Sequence, residues 1–512
     1  MLLFRPLNTA VLLVAIGSAC EAIQYGKGRN LGAPLVVETT SGRVHGYINE
    51  TTPAVRWFLG IPYAEPPVGA LRFAPPSPKQ RVGRTISATS FAPSCFQQIA
   101  NTPNIYNQIV PEQLISGAQS EDCLYANIWA PLHPKEESLP VFIYLPGGGF
   151  IFGGANTLWK VPYPWVQRTQ AHIVVVINYR VNVFGFPNSR ALTDNNVGLL
   201  DQRLAVEWVR DNSAAFGGDP KRIMLWGHSA GAASVNMYSY AYPDDPIISG
   251  GICDSGTAEI SGSKDVEHTN FTFLAKRVGC DDANGAAELD CMRKVPATKL
   301  EQSLVDYINS HATPALSFVP VLDNKTIWAN YTDRALKGQV AKFPQILGSN
   351  SNEGAYFINF TLAGPGPAAL YAATQRVIAC PVAQEVRNRA LTGLPTYRFQ
   401  YGGNFSNISP LPWMGAYHGA ELPLIFGTFD EYHGRATPFE FALSDIMQSL
   451  YLSFATYPSI PPSLGHGLPN EWAWPDYSPK TDSMLLFGSN GDLVQEVPGS
   501  IIDANCSAMG LL

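Results

Sequence analysis

The sequence predicts an α/β fold, with a large, mostly parallel sheet and helices on both faces. Three observations carry this. Apolar strand-like runs stand at 139–145, 172–178, 222–226 and 396–400. Amphipathic segments alternate with them; in 198–212, Leu200, Leu204, Trp208 and Val209 fall on one side at helical spacing. The run at 222–226 leads into Gly227-His228-Ser229-Ala230-Gly231 and then into small residues, a strand–turn–helix order. Strands separated by helices imply a parallel sheet covered on both sides.

From the N-terminus, Met1 to Arg5 is a short basic start, 10–16 is apolar, and Gly17-Ser18-Ala19 or Cys20-Glu21-Ala22 offers a cleavage site. Residues 1–22 are therefore expected to be a secretory signal peptide, too short to span a bilayer. Residues 35–48 have a hairpin-like pattern that suits an antiparallel edge. A length of 512 residues suggests about three domains. No linker, internal repeat or low-complexity region divides the chain, so 23–512 is expected to be one domain. The Pro/Gly-rich stretches at 62–76, 364–367 and 458–462 are expected to be loops.

Composition narrows the partners. The net charge is −7 and no block of like charges occurs, which argues against nucleic acid or an anionic membrane surface. No later run reaches transmembrane length, so stable membrane insertion is not expected. Asn-x-Ser/Thr sequons at Asn49, Asn270, Asn324, Asn330, Asn359, Asn404, Asn407 and Asn505 fit a glycosylated, extracellular protein. There are eight cysteines, and Cys20 falls in the leader. An oxidising compartment would pair the rest in part. Cys95 with Cys123 and Cys280 with Cys291 are the local pairs, each worth about 3 kcal/mol in the chain-entropy model. Cys253, Cys380 and Cys506 remain, and the odd number leaves at least one thiol free or bonded to another chain.

The turn at Ser229 is the candidate nucleophile. A sharp strand-to-helix turn lifts the hydroxyl clear of the backbone, and the helix directs its first amides at developing negative charge. The buried run 141–145 feeds Pro146-Gly147-Gly148-Gly149-Phe150, whose uncovered amides suit an oxyanion. Gly148, Gly149 and the amide of Ala230 are the candidate donors. The acid and base are less local. In a Ser–acid–His chain order the loop carboxylate Glu353, in Leu347-Gly348-Ser349-Asn350-Ser351-Asn352-Glu353-Gly354, leaves His418, His433 and His466 as bases. His228 adjoins Ser229 on a tight turn, so its side chain is expected to point elsewhere. His433 lies among charged neighbours and is expected in an exposed loop. No metal-ligand spacing stands out apart from His418-x-x-Glu421, and no cofactor is expected.

Several segments together resemble the type-B carboxylesterase/lipase family, the cholinesterase-like α/β-hydrolases, and in particular a secreted fungal-type member. They are Phe58-Leu59-Gly60-Ile61-Pro62-Tyr63-Ala64-Glu65-Pro66-Pro67-Val68-Gly69, Ser120-Glu121-Asp122-Cys123-Leu124-Tyr125, Asn196-Val197-Gly198-Leu199-Leu200-Asp201-Gln202-Arg203 and Phe216-Gly217-Gly218-Asp219-Pro220. The resemblance implies a single α/β-hydrolase domain and a triad of Ser229, Glu353 and His418, with Ser255 as a supporting serine. It also implies ion pairs Arg72–Glu121 and Arg180–Asp201, and the disulfides Cys95–Cys123 and Cys280–Cys291. The chain departs from the family in three places. His228 stands where glutamate is common, and the Cys95 to Cys123 loop has no tryptophan, so a cholinesterase reading is weakened. Only 65 positions separate Glu353 from His418, with the shortfall expected between Gly354 and Cys380, where helices usually cap the gorge. Either the cap is reduced and the site more open, or the coding sequence has lost an exon.

The expected protein is a secreted serine carboxylic ester hydrolase acting through an acyl-enzyme on a small-molecule or lipid ester. Phe150, Phe152 and Trp413 are candidates for an apolar pocket. One alternative is a lipase for long-chain acylglycerols, with the Cys95–Cys123 loop as a lid. A non-catalytic binding module is the other, set against by the retention of all three catalytic groups.

Overall fold

Eleven strands form the main sheet, and its parallel centre is built from the apolar runs. Gly218–His228 lies between Leu139–Leu145 and Gly250–Asp254, parallel to both. Gln345–Asn350, Thr396–Tyr401 and Ser483–Ser489 continue the parallel order on one side. Ile173–Ile177 continues it on the other. Antiparallel strands close the edges: Tyr125–Pro131, Val55–Pro62 and Tyr47–Ile48 at one, Asp492–Pro498 at the other. This computed structural model describes residues 33–97, 101–260, 265–468 and 471–512. The expected leader, 1–22, and the expected domain start at residue 23 lie outside the described residues. Ala33–Leu512 is one compact unit.

Alternation along each strand sorts side chains between two cores. Phe142, Tyr144, Met224 and Trp226 face one layer, where helix Pro438–Thr456 adds Leu443, Met447, Leu450 and Phe454. Val141, Ile143, Leu145, Ile223 and Leu225 face the other, under helices Val197–Phe216, Ala230–Ala241 and Cys380–Thr392. Leu139–Leu145 is buried along its whole length, which is why it reads as a continuous apolar run. Each such side chain contributes roughly 1.5–3 kcal/mol of burial free energy.

Two local expectations are corrected. Val36–Thr39 and Gly42–His45 do pair antiparallel, but they join Val82–Ser87 in a separate small sheet. Only Tyr47–Ile48 reaches the main sheet's edge. Helix Val197–Phe216 buries the expected face only in part: Trp208 and Val209 point inward, but Leu200 and Leu204 are half-buried, and Leu199, Asp201, Gln202 and Val206 are buried beside them. The inward Asp201 holds Arg180 through two side-chain bonds of 2.7 and 2.8 Å. Arg72 holds Glu121 in the same bidentate way and also donates to the carbonyls of Met292 and Val295.

Disulfides join Cys95–Cys123 and Cys280–Cys291, and a third joins Cys380 to Cys506 across 126 positions. Cys253 is the free thiol among the described residues, and it is buried. Of the sequon asparagines, Asn407 and Asn270 are buried, the Nδ2 of Asn407 donating to the Phe429 carbonyl and that of Asn270 to the Ser317 carbonyl. Asn324, Asn330, Asn359 and Asn404 are exposed, and Asn49 and Asn505 half-buried. No helix of the described residues is long and apolar enough to cross a membrane.

Candidate active site

Leu139–Leu145, Gly218–His228, Gly250–Asp254 and Gln345–Asn350 are parallel neighbours, so the loops after them open on one edge of the sheet. That is where open α/β sheets place their sites. Ser229 is the hinge between Gly218–His228 and helix Ala230–Ala241, with φ +55°. Such a backbone is strained for serine and persists only where its surroundings hold it. Here the Ser229 N–H donates to the Asp254 carbonyl at 2.8 Å. Asp254 is itself fixed by Trp226 Nε1 at 2.5 Å and Tyr451 OH at 2.7 Å. The helix also lies hard against the neighbouring strand: a Cβ on Gly231 would stand 2.0 Å from the Leu145 carbonyl oxygen.

Ser229, His418, Gly148 and Gly149 line one pocket, together with Tyr106, Gln113, Phe152, Lys160, His228, Tyr356 and Phe357. His418 Nδ1 bonds Glu353 Oε2 at 2.5 Å. Both groups are sealed, at 2% and 0% exposure. Glu353 Oε1 takes the Asn350 N–H at 2.6 Å, so strand and loop together aim the carboxylate. With Nδ1 donating to a carboxylate, His418 Nε2 carries the free lone pair. That nitrogen has no partner among the described residues. Glu353 and His418 are thus joined and Ser229 shares their pocket, but no hydrogen bond links Ser229 Oγ to His418. Tyr106 OH donates to the His418 carbonyl at 2.5 Å, and Tyr356 stacks on the imidazole.

Gly148 turns the glycine loop after Leu139–Leu145 at φ +129°, where a Cβ would meet the Phe152 carbonyl oxygen at 2.2 Å. No protein group among the described residues accepts from the N–H of Gly148 or Gly149. The Ala230 N–H is at the first position of its helix, where no intrahelical partner exists.

Other expectations are redistributed. His228 does not point away: its ring lies 4.4 Å from that of His418, centroid to centroid. Burial, then His418 and Lys160, push its pKa well below the usual range, so it is neutral. Ser255 follows strand Gly250–Asp254, but its buried Oγ has no partner among the described residues, so it is not joined to Glu353. Of the three aromatic candidates only Phe152 lines the pocket. Phe150 packs on Phe186 in the core, and Trp413 Nε1 braces the Leu362 carbonyl. His433 is exposed and pairs with Glu112. His418 and Glu421 turn to different partners, Glu353 and Asn350.

Asp254, Lys160, Gln113, Tyr106 and Tyr356 had no sequence signal of their own. They come from separate loops and strand ends, and only long-range pairing gathers them. Burial pushes the Asp254 carboxyl up to about 7, against the bonds from Tyr451 and Trp226.

The model of the Carboxylesterase family matches residues 33–371 and 365–500. The chain belongs to the carboxylesterase family. This carboxylesterase is 51% identical to the chlorogenic acid esterase of Aspergillus niger over 517 residues, covering 99% of the chain and 100% of that protein. It is 39% identical to Secreted lipase 5 of Gibberella zeae over 527 residues, 95% of the chain and 96% of that protein. To the acetylcholinesterase of Bungarus fasciatus it is 30% identical over 529 residues, 91% of the chain and 84% of that protein. With these relatives, it is a carboxylic ester hydrolase of the α/β-hydrolase fold. The two family matches meet at 365–371, inside the stretch where the short Glu353 to His418 spacing places the shortfall. The end-to-end alignment with the Aspergillus niger protein leaves no room for a missing exon relative to it. The stretch before Cys380 holds helices Gly354–Phe357 and Pro367–Thr374 and the π-helical segment Gln375–Ala379.

Proposed function

We propose that this chain is a secreted serine carboxylesterase that cleaves esters through an acyl-enzyme on Ser229. His418 Nε2 takes the Ser229 proton as the hydroxyl attacks the ester carbonyl, then gives it to the leaving alcohol. Glu353 holds His418 in the tautomer this requires. The N–H groups of Gly148, Gly149 and Ala230 receive the oxyanion, each worth about 100- to 1,000-fold in rate. Water, activated by the same histidine, releases the acid. The observation that carries the reading is the buried Glu353–His418 bond, which leaves Nε2 without a partner among the described residues, on a histidine that lines the same pocket as Ser229.

The substrate we propose is an ester of the chlorogenic acid type, an aromatic acid joined to a hydroxylated one. Identity of 51% along the full length supports it, as do the aromatic walls Tyr106, Phe152, Tyr356 and Phe357. We place the mature domain at 23–512, extracellular, with glycans on Asn49, Asn324, Asn330, Asn359, Asn404 and Asn505. Ser229→Ala is the test. Secreted, folded protein without turnover of chlorogenic acid or 4-nitrophenyl butyrate is the expected result, and activity near wild type overturns the mechanism. Faster turnover of emulsified long-chain triglyceride than of chlorogenic acid overturns the substrate and favours the lipase reading.

A further inference from the structure

Lys160 ends the short turn Leu158–Lys160 that follows the oxyanion loop, and its side chain lines the pocket of Ser229 and His418. It is 7% exposed. An ammonium group carries three donors, yet the structure offers this one a single long acceptor, the Gln113 carbonyl at 3.4 Å. Among the described residues it forms no ion pair. Buried cations are normally paired, because an unpaired one is costly to keep out of water. Two polar atoms of the same pocket, His228 Nε2 and Gln113 Oε1, also lack partners among the described residues.

Glu421 is the carboxyl that acts on Lys160, without pairing with it. Burial, then Asp254 and Glu353, push the Glu421 pKa well above the usual carboxylate range. His228 is neutral. Burial, against the raising effect of Glu421, lowers Lys160 to about 8, which leaves it cationic at neutral pH and below.

We propose that Lys160 is a specificity-determining residue whose ammonium binds a carboxylate carried by the ester substrate itself. A carboxylate supplies the acceptors and the counter-charge that the pocket lacks. This rests on the esterase reading above and narrows it to esters with a free acid group, on either the alcohol or the acyl half.

Two matched pairs locate that group. Chlorogenic acid against its methyl ester places the carboxylate on the alcohol half; 4-nitrophenyl hydrogen succinate against its methyl ester places it on the acyl half. In wild type, kcat/KM for the free acid should exceed that for the methyl ester about 10- to 100-fold in one pair, the range of a charge-assisted hydrogen bond. Lys160→Met should bring that ratio to about one, and Lys160→Arg should restore part of it. A wild-type ratio of one or less in both pairs, or a ratio unchanged in Lys160→Met, overturns the assignment. If Lys160→Met does not fold, the wild-type ratio is followed with pH instead, because kcat/KM reports the free enzyme's groups. Its collapse above about pH 8 supports the assignment, and its persistence at pH 9 overturns it. Turnover that depends on Ser229 but shows no free-acid preference would leave the esterase reading intact and remove only Lys160.

Discussion

The imidazole of His418 stands between a buried carboxylate and an open pocket, and the direction of one proton decides what it can do. Glu353 Oε2 accepts from Nδ1, while Oε1 accepts from the Asn350 backbone. Glu353→Gln would keep the second bond, since an amide oxygen also accepts from N–H. The amide nitrogen would then face Nδ1 and donate to it, which forces the imidazole proton onto Nε2. A protonated Nε2 cannot take a proton from Ser229. We therefore expect Glu353→Gln to fold and to lower kcat about 10³- to 10⁴-fold with little change in KM. A kcat within tenfold of wild type would show that His418 does not act through this tautomer.

At the scale of elements, the C-terminal helix Ser500–Ala508 is tied to helix Cys380–Thr392 by Cys380–Cys506. The bond spans 126 positions, and a loop of that size constrains the unfolded chain strongly. Neither helix lines the pocket, so the double change Cys380→Ser with Cys506→Ser should cost roughly 2–5 kcal/mol of stability. Denaturant unfolding would measure that loss, and kcat on a soluble ester should be unchanged. The legibility of elements follows the same local-against-distant division. Leu139–Leu145 was plain in the sequence because burial on both faces writes an unbroken apolar run. The helix face at 197–216 is legible only in part: Trp208 and Val209 are buried as their spacing suggests, but Asp201 and Gln202 also point inward, and their partners Arg180 and Ser234 lie elsewhere in the chain. At the site, Ser229 and the glycine loop announce themselves through short motifs. Glu353 and His418 were selected by family resemblance, since a lone loop glutamate or late histidine has no local signature. Lys160, Asp254 and Tyr106 were silent, because each matters only through a neighbour brought by the fold.

For the whole molecule, several ionisable groups are buried on both sides of the sheet, and the fold's stability is linked to pH through them. Glu385 is the clearest case away from the pocket. It lies on helix Cys380–Thr392, fully buried, and accepts from Asn236 Nδ2 and Tyr240 OH of the helix that follows Ser229. Burial pushes its carboxyl up to about 7, against Arg389, Asn236 and Tyr240, while Glu259 adds to the rise. In the unfolded chain this proton leaves near the ordinary glutamate range, whereas the folded chain holds it to about 7. Between those values the folded state binds more protons, so this group's contribution to stability falls as pH rises through the window and levels off above it. Glu385→Gln keeps the acceptor oxygen for Asn236 and cannot ionise. Relative to wild type it should therefore gain stability between pH 5 and pH 8, by on the order of 3 kcal/mol. Buried His172, lowered to about 3 by desolvation and Arg168, works in the opposite direction as acid is added. It is present in both proteins and cancels in the comparison. Unfolding free energies of the two proteins measured across that range decide the point: parallel curves would mean that Glu385 does not carry a shifted proton.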